Sequence, residues 1–144
     1  MNIQRLYDTD YNSWIQQHIL FLKESRFSDC DTLHLIEELK DMGKSNEREL
    51  VSRLIILISH LLKWQYQPDM RSNSWSSSIN EQRSQIDYLL NDMPSLKANV
   101  ISAIDKSYGR AVKLAIKETG IPLTAFPEKC SYTQSQLFDE DFYP

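Results

Sequence analysis

Glycine and proline are scarce in this chain. Its 144 residues hold three Gly and five Pro, where average usage of about 7% and 5% would place roughly 17. Few turns follow, and valine is rare as well: three residues against 17 Leu and 13 Ile. A sequence poor in Val, Gly and Pro does not build a multi-stranded sheet with its many turns, so an all-α fold of long helices is expected. The two cysteines, Cys30 and Cys130, form no Cys-x-x-Cys pair and have no histidine at zinc-finger spacing. They read as reduced thiols of a cytoplasmic protein. The N-terminal MNIQRLYDTDYNSW lacks an apolar core, so no signal peptide is expected. The longest apolar run, Leu54 to Leu62, contains Ser59 and His60 and falls far short of the roughly 20 residues that span a bilayer, which excludes a membrane partner. No Gly-rich phosphate loop and no nucleophile elbow occur, and no cofactor is implied.

Charge is present in moderate amount and unevenly placed. The net charge is −4. Residues 1–43 carry four basic and eight acidic groups, residues 44–120 eleven and eight, and residues 121–144 one and four. A centre of +3 between ends of −4 and −3 is too weak for a nucleic-acid footprint, so general DNA binding is not expected. The hydrophobic fraction of 41% beside 25% charged residues is that of a soluble globular domain.

Apolar spacing of three and four predicts five main helices. The first runs from Asp10, a candidate N-cap, to about Arg26, with Tyr11, Trp14, Ile15, Ile19 and Leu22 on one side. The second runs from about Asp31 to Met42, where Gly43 is expected to stop it. The third, about Ser45 to Tyr66, carries the stripe Leu50, Leu54, Leu57, Leu61 and Trp64, widened by Val51, Ile55, Ile58 and Leu62, which marks it as the central helix. A fourth starts between Asn73 and Ser78, with Trp75, Ile79, Gln82, Ile86 and Leu89 facing inward. A fifth is expected from Pro94, capped by Asp92 and closed by Gly120. Residues 1–120 thus read as one bundle in a single helical domain, and residues 121–144, with three prolines, as an extended tail laid on its surface with one helical turn near Thr133 to Leu137. Gly109 fits no boundary. A mid-helix glycine costs about 1 kcal/mol relative to alanine, so a backbone or bulky aromatic is expected to pass close to it.

Three clusters are candidate sites. Arg53, His60 and Gln67 are seven residues apart and share one line of the third helix. An arginine can fork a phosphate while a histidine moves a proton near neutral pH, so Arg53 and His60 are candidate catalytic residues. The arrangement loosely resembles the Arg-x4–6-His signature of HEPN ribonucleases, although Leu54 stands where that signature places a polar residue. The structural alternative pairs Arg53 with Glu49 and His60 with a carbonyl or carboxylate, and it carries more weight. The second cluster, His34, Glu37, Glu38 and Asp41, lacks the paired Glu-x-x-His order of di-metal bundles. It reads as a solvated polar face, and no metal is expected. The third is the junction from Lys63, Trp64 and Gln67 through Arg71 to Trp75 and Arg83, where aromatic rings, amides and cations crowd together as in a binding surface. Its structural alternative packs Trp64 on Trp75 under a tight connection, with Gln82 and Arg83 satisfying exposed carbonyls.

The stretch LIEELKDMGKSNERELVSRLIILISHLLKWQYQPDMRSNSWSSSINEQRSQI, with YDTDYNSWIQQ and RFSDCD before it and KETGIPLTAFPEKCSYTQSQLFDEDFYP after it, resembles the bacterial domain-of-unknown-function family 29, best represented in cyanobacteria. The resemblance covers nearly the whole chain and implies an all-helical fold without an assigned activity. The expected function is a cytoplasmic protein-interaction module without enzymatic activity, binding through Lys63, Trp64, Gln67, Arg71, Trp75 and Arg83 to a protein partner, with a homodimer as one way to bury an exposed stripe. The alternative is a metal-independent nuclease or other phosphate-directed enzyme using Arg53 and His60.

Overall fold

Side-chain caps set several of the helix starts. In the computed structural model, which describes residues 2–144, α1 is Ile3–Thr9, and the Asn2 side chain accepts its Arg5 N–H at 3.2 Å. Helix α2 is Tyr11–Lys23, and Asp10 accepts from Ser13 N–H at 3.1 Å, as the sequence predicts. The spacing does not reveal α1, because IQRLYDT is too short and too polar to show a stripe. No strand occurs among the described residues, and the fold is all-α.

The predicted break at Gly43 does not exist. Helix α3 runs unbroken over Thr32–Tyr66. Gly43 does not adopt positive φ, so the left-handed conformation that ends a helix is absent. The good helix formers around it, Leu39, Lys40, Met42 and Lys44, carry the helix through the roughly 1 kcal/mol cost of one glycine.

The chain divides into two compact units, residues 1–45 and 46–144. In the first unit, His34 and Glu38 of α3 are half-buried and hold side chains of α1 and α2. The face expected to be solvated is therefore packed at His34 and Glu38, while Glu37 and Asp41 are exposed. The reason is hydrogen bonding: the Tyr7 and Tyr11 hydroxyls both donate to the Glu38 carboxylate at 2.5 Å. Among the described residues of this unit only Trp14, His18, Phe21 and Asp31 are buried.

The second unit holds the hydrophobic core. Leu50, Leu54, Leu57, Ile58 and Leu61 of α3 are fully buried. They share one cluster with Ile79 and Ile86 of α4 (Asn73–Asp92) and Val100, Ala111 and Ala115 of α5 (Val100–Thr119). Ser72 caps α4, and Gly120 at φ 73° closes α5. The start of α5 differs from the prediction. Asp92 ends α4 rather than capping α5, and Pro94–Asn99 form a 3-10 turn that places Leu96 in the core before α5 begins. Residues 121–144 include the short helix α6 (Gln134–Phe138), opened by a Thr133–Gln136 capping box. This segment also contributes Phe126, Tyr132 and the fully buried Leu137 to the core.

Nothing passes near Gly109, contrary to expectation. A Cβ built there meets no atom within 4 Å, and the residue is exposed. It lies at the edge of a groove of about 340 Å³ bounded by Asp105, Tyr108, Glu128, Lys129 and Cys130.

Candidate functional site

The helix α3 to α4 junction in the second unit gathers most of the residues singled out in the sequence, and it uses them internally. Lys63 is 5% exposed. Its ammonium pairs with Glu118 of α5 and stands 5.0 Å from the centre of the Trp75 ring. Glu118 is absent from the sequence reading, because 55 residues separate it from Lys63 and no local spacing announces the pair. His60 is half-buried one turn earlier on α3. Its Nδ1 lies 2.8 Å from the Ile56 carbonyl and donates to it. Burial holds its pKa below the ordinary imidazole value, with a smaller push from the Lys63 charge.

Arg53 is not turned toward His60. Its guanidinium lies 3.7 Å from Glu49 and donates to the Gln82 amide oxygen at 3.4 Å. The structural alternative set out for Arg53 and His60 thus matches the contacts they make, and the structure brings no shared polar group to the two.

Trp64 and Trp75 do not stack on each other, the arrangement expected of the structural alternative. Trp64 packs on Tyr143, with ring centres 4.9 Å apart. Arg71 lies over the Trp64 ring at 5.0 Å and donates to the Trp64 and Pro144 carbonyls at 2.8 and 3.2 Å. Gln67 is half-buried just before the 3-10 turn Pro68–Met70. Arg83, 5% exposed, donates to three carbonyls of the C-terminal segment, those of Gln136, Leu137 and Phe142, at 2.8 to 3.1 Å. Its Nη1 is buried without a partner, and its guanidinium lies 5.6 Å over the Tyr143 ring. Burial pulls its pKa down, yet no carboxylate pairs with it. Trp64, Arg71 and Arg83 therefore grip the chain's own last residues. The signal available in the sequence was the aromatic and acidic string Phe138 to Tyr143, which matches the chemistry of the junction.

The first unit holds a second polar network, which the spacing did not bring together. Asp31 is 2% exposed. Its carboxylate accepts from Trp14 Nε1 at 3.1 Å, from His34 Nδ1 at 2.5 Å and from the His34 backbone N–H at 3.4 Å. Burial alone would raise the Asp31 pKa, but these donors bring it below the ordinary value. The same contact with Asp31 raises that of His34. The His34 ring stacks on Tyr7 at 3.9 Å with an interplanar angle of 9°. His18 Nδ1 donates to the Trp14 carbonyl and its Nε2 accepts the Asp31 N–H, both at 2.8 Å, which fixes one neutral tautomer. The hydrogen bond to Glu38 pushes the Tyr7 hydroxyl up to about 12, while Tyr11 and Tyr7 hold Glu38 below its usual value. This is a buried Asp with an oriented His.

No group of three or more His, Cys, Asp or Glu side chains able to hold a metal ion occurs among the described residues. No helix among them is long and apolar enough to cross a membrane. No curated protein and no solved structure is significantly similar to the chain. Residues 6–143 match the family described as "Domain of unknown function DUF29", and the chain belongs to that family.

Proposed function

We propose that the protein is a cytoplasmic protein-interaction module without enzymatic activity, and that its contact surface lies in the first unit. One observation carries this reading. Thirteen large apolar side chains are exposed among the described residues, and nine of them fall between Tyr11 and Met42, including Ile19, Leu22, Ile36, Leu39 and Met42. Single exposed apolar residues are ordinary, whereas a concentration of this kind marks a surface that another chain covers. The junction at Lys63, Trp64, Gln67, Arg71, Trp75 and Arg83 is the weaker candidate, because Trp64, Arg71 and Arg83 are already engaged by residues 136–144 and Lys63 by Glu118 and Trp75.

A photo-crosslinking residue at position 39, introduced in cells that produce the protein, is expected to capture a protein partner. The same residue at exposed position 113 is the control. Equal capture at both positions, or none at position 39, refutes the reading. The phosphate-directed alternative draws little support from Arg53, which is occupied by Glu49 and Gln82. Equal RNA cleavage by the protein and its His60→Ala variant is the expected result.

A further inference from the structure

We propose that the partner is a second copy of this chain, docked through the first unit in a two-fold symmetric dimer. The proposal rests on the interaction reading above and names its occupant. Among its described residues the first unit has only two buried apolar side chains, Trp14 and Phe21, and the fully formed apolar cluster contains none of them. A unit of this size with so small a core rarely holds together unaided. Small natural domains add disulfides, a metal or oligomerisation, and this unit has a single cysteine.

The bare apolar positions form continuous strips. On α3, Leu35, Ile36, Leu39, Met42 and Gly43 fall within about 120° of arc at 3.6 residues per turn. Ile36, Leu39 and Met42 among them are 44%, 63% and 63% exposed. On α2, Tyr11, Ile15, Ile19 and Leu22 fall within about 80°, and three of the four are exposed. A standard interface takes about 800 Å² from each partner. The six exposed side chains of these strips, Tyr11, Ile19, Leu22, Ile36, Leu39 and Met42, are each 41% to 63% exposed and supply the apolar centre of a contact of that size. A patch that is apolar on one copy is apolar on the next, so a two-fold contact pairs like with like.

Gly43 suits such a contact without requiring it. It lies inside the α3 strip, in mid-helix, where glycine is costly. Within the single chain, nothing lies within 4 Å of a Cβ added there. A helix of a second copy crossing the strip at this point gives the glycine a purpose, since the missing Cβ lets two backbones approach closely.

The test is sedimentation and light scattering of the full chain from low micromolar to near-millimolar concentration, with Leu39→Asp and Gly43→Leu beside it. The expected result is a dimer whose dissociation constant weakens at least a hundredfold in either variant. A Cβ at position 43 meets no atom of its own chain within 4 Å and leucine favours a helix over glycine, so Gly43→Leu is expected to keep the fold even if Leu39→Asp does not. A Leu39→Cys variant in a Cys30→Ser, Cys130→Ser background is expected to form an intermolecular disulfide on oxidation. A monomer at every concentration overturns the proposal, and so does a dimer indifferent to both substitutions. If position 39 then captures only a different protein in cells, the dimer fails while the interaction module stands. If it captures nothing, both fail.

Discussion

Replacing Gly109 by alanine isolates one physical effect. Gly109 lies in the middle of α5, nine residues from its start at Val100 and ten from the Thr119 end, and its φ is not positive. A Cβ there meets nothing within 4 Å. The substitution therefore adds no clash and no contact in the folded chain. What it changes is the unfolded chain, which loses the conformational freedom of glycine. Helix-propensity differences put the gain at about 0.8–1 kcal/mol, or roughly 4 °C in melting temperature for a unit of this size. Urea unfolding followed by far-UV circular dichroism is the assay, and the midpoint should rise with the slope unchanged. A fall in stability, or no change, refutes the reasoning. It would mean that the groove beside Gly109 is filled in solution, as first expected from the sequence.

Three further outcomes follow from the contacts. Arg83→Met removes a buried donor from three carbonyls of the C-terminal segment. It should cost about 2–3 kcal/mol and speed amide exchange from Leu137 onward, and a neutral result would show that the clamp contributes nothing. Glu118→Gln leaves the buried Lys63 ammonium without its counter-charge, whereas Lys63→Met removes that charge altogether. Glu118→Gln should therefore be the more damaging of the two in thermal melts, and the reverse order would refute the pairing.

The two histidines with shifted pKa should titrate apart in NMR. His34 is expected above the ordinary value of about 6.5 and His60 below it. The signs differ in consequence. The His34 contribution to the first unit is complete below about pH 6.5 and is lost as pH rises through its folded pKa. The contributions of Asp31 and Glu38, whose pKa values are lowered, are complete above about pH 4.5 and are lost as pH falls through their folded pKa values. Exchange protection of α1 and α2 should therefore peak between about pH 4.5 and 6.5, and His34→Gln should remove the decline on the alkaline side. The His60 contribution runs oppositely, fading as pH falls below about 6.5. Coincident titrations of the two rings would refute both assignments.

Much of the second unit is legible in the sequence because its determinants are local. The stripe Leu50, Leu54, Leu57 and Leu61 is set by helical period, and Gly120 and the Thr133 capping box act within a few residues of themselves. Gly43 and Gly109 show the limit of such reasoning. Glycine permits a helix end or a close approach but compels neither, and its cost is small enough for flanking helix formers to absorb. The sites depend on partners far along the chain. Lys63 finds Glu118 at a separation of 55 residues, and Arg83 finds Phe142 at 59, distances over which no periodicity carries information.

Composition and spacing by themselves determined that this chain is helical, where its central stripe runs and which residue types crowd the junction after it. Period and cap chemistry are properties of neighbouring residues, so they survive without a fold. Only the tertiary structure decided that the junction closes on the chain's own C-terminal segment and that the tyrosines pack on the charged side of α3 near its start while Ile36, Leu39 and Met42 stay exposed. Those outcomes turn on which groups meet across long loops, and a buried cation or carboxylate settles where enough donors or acceptors converge on it.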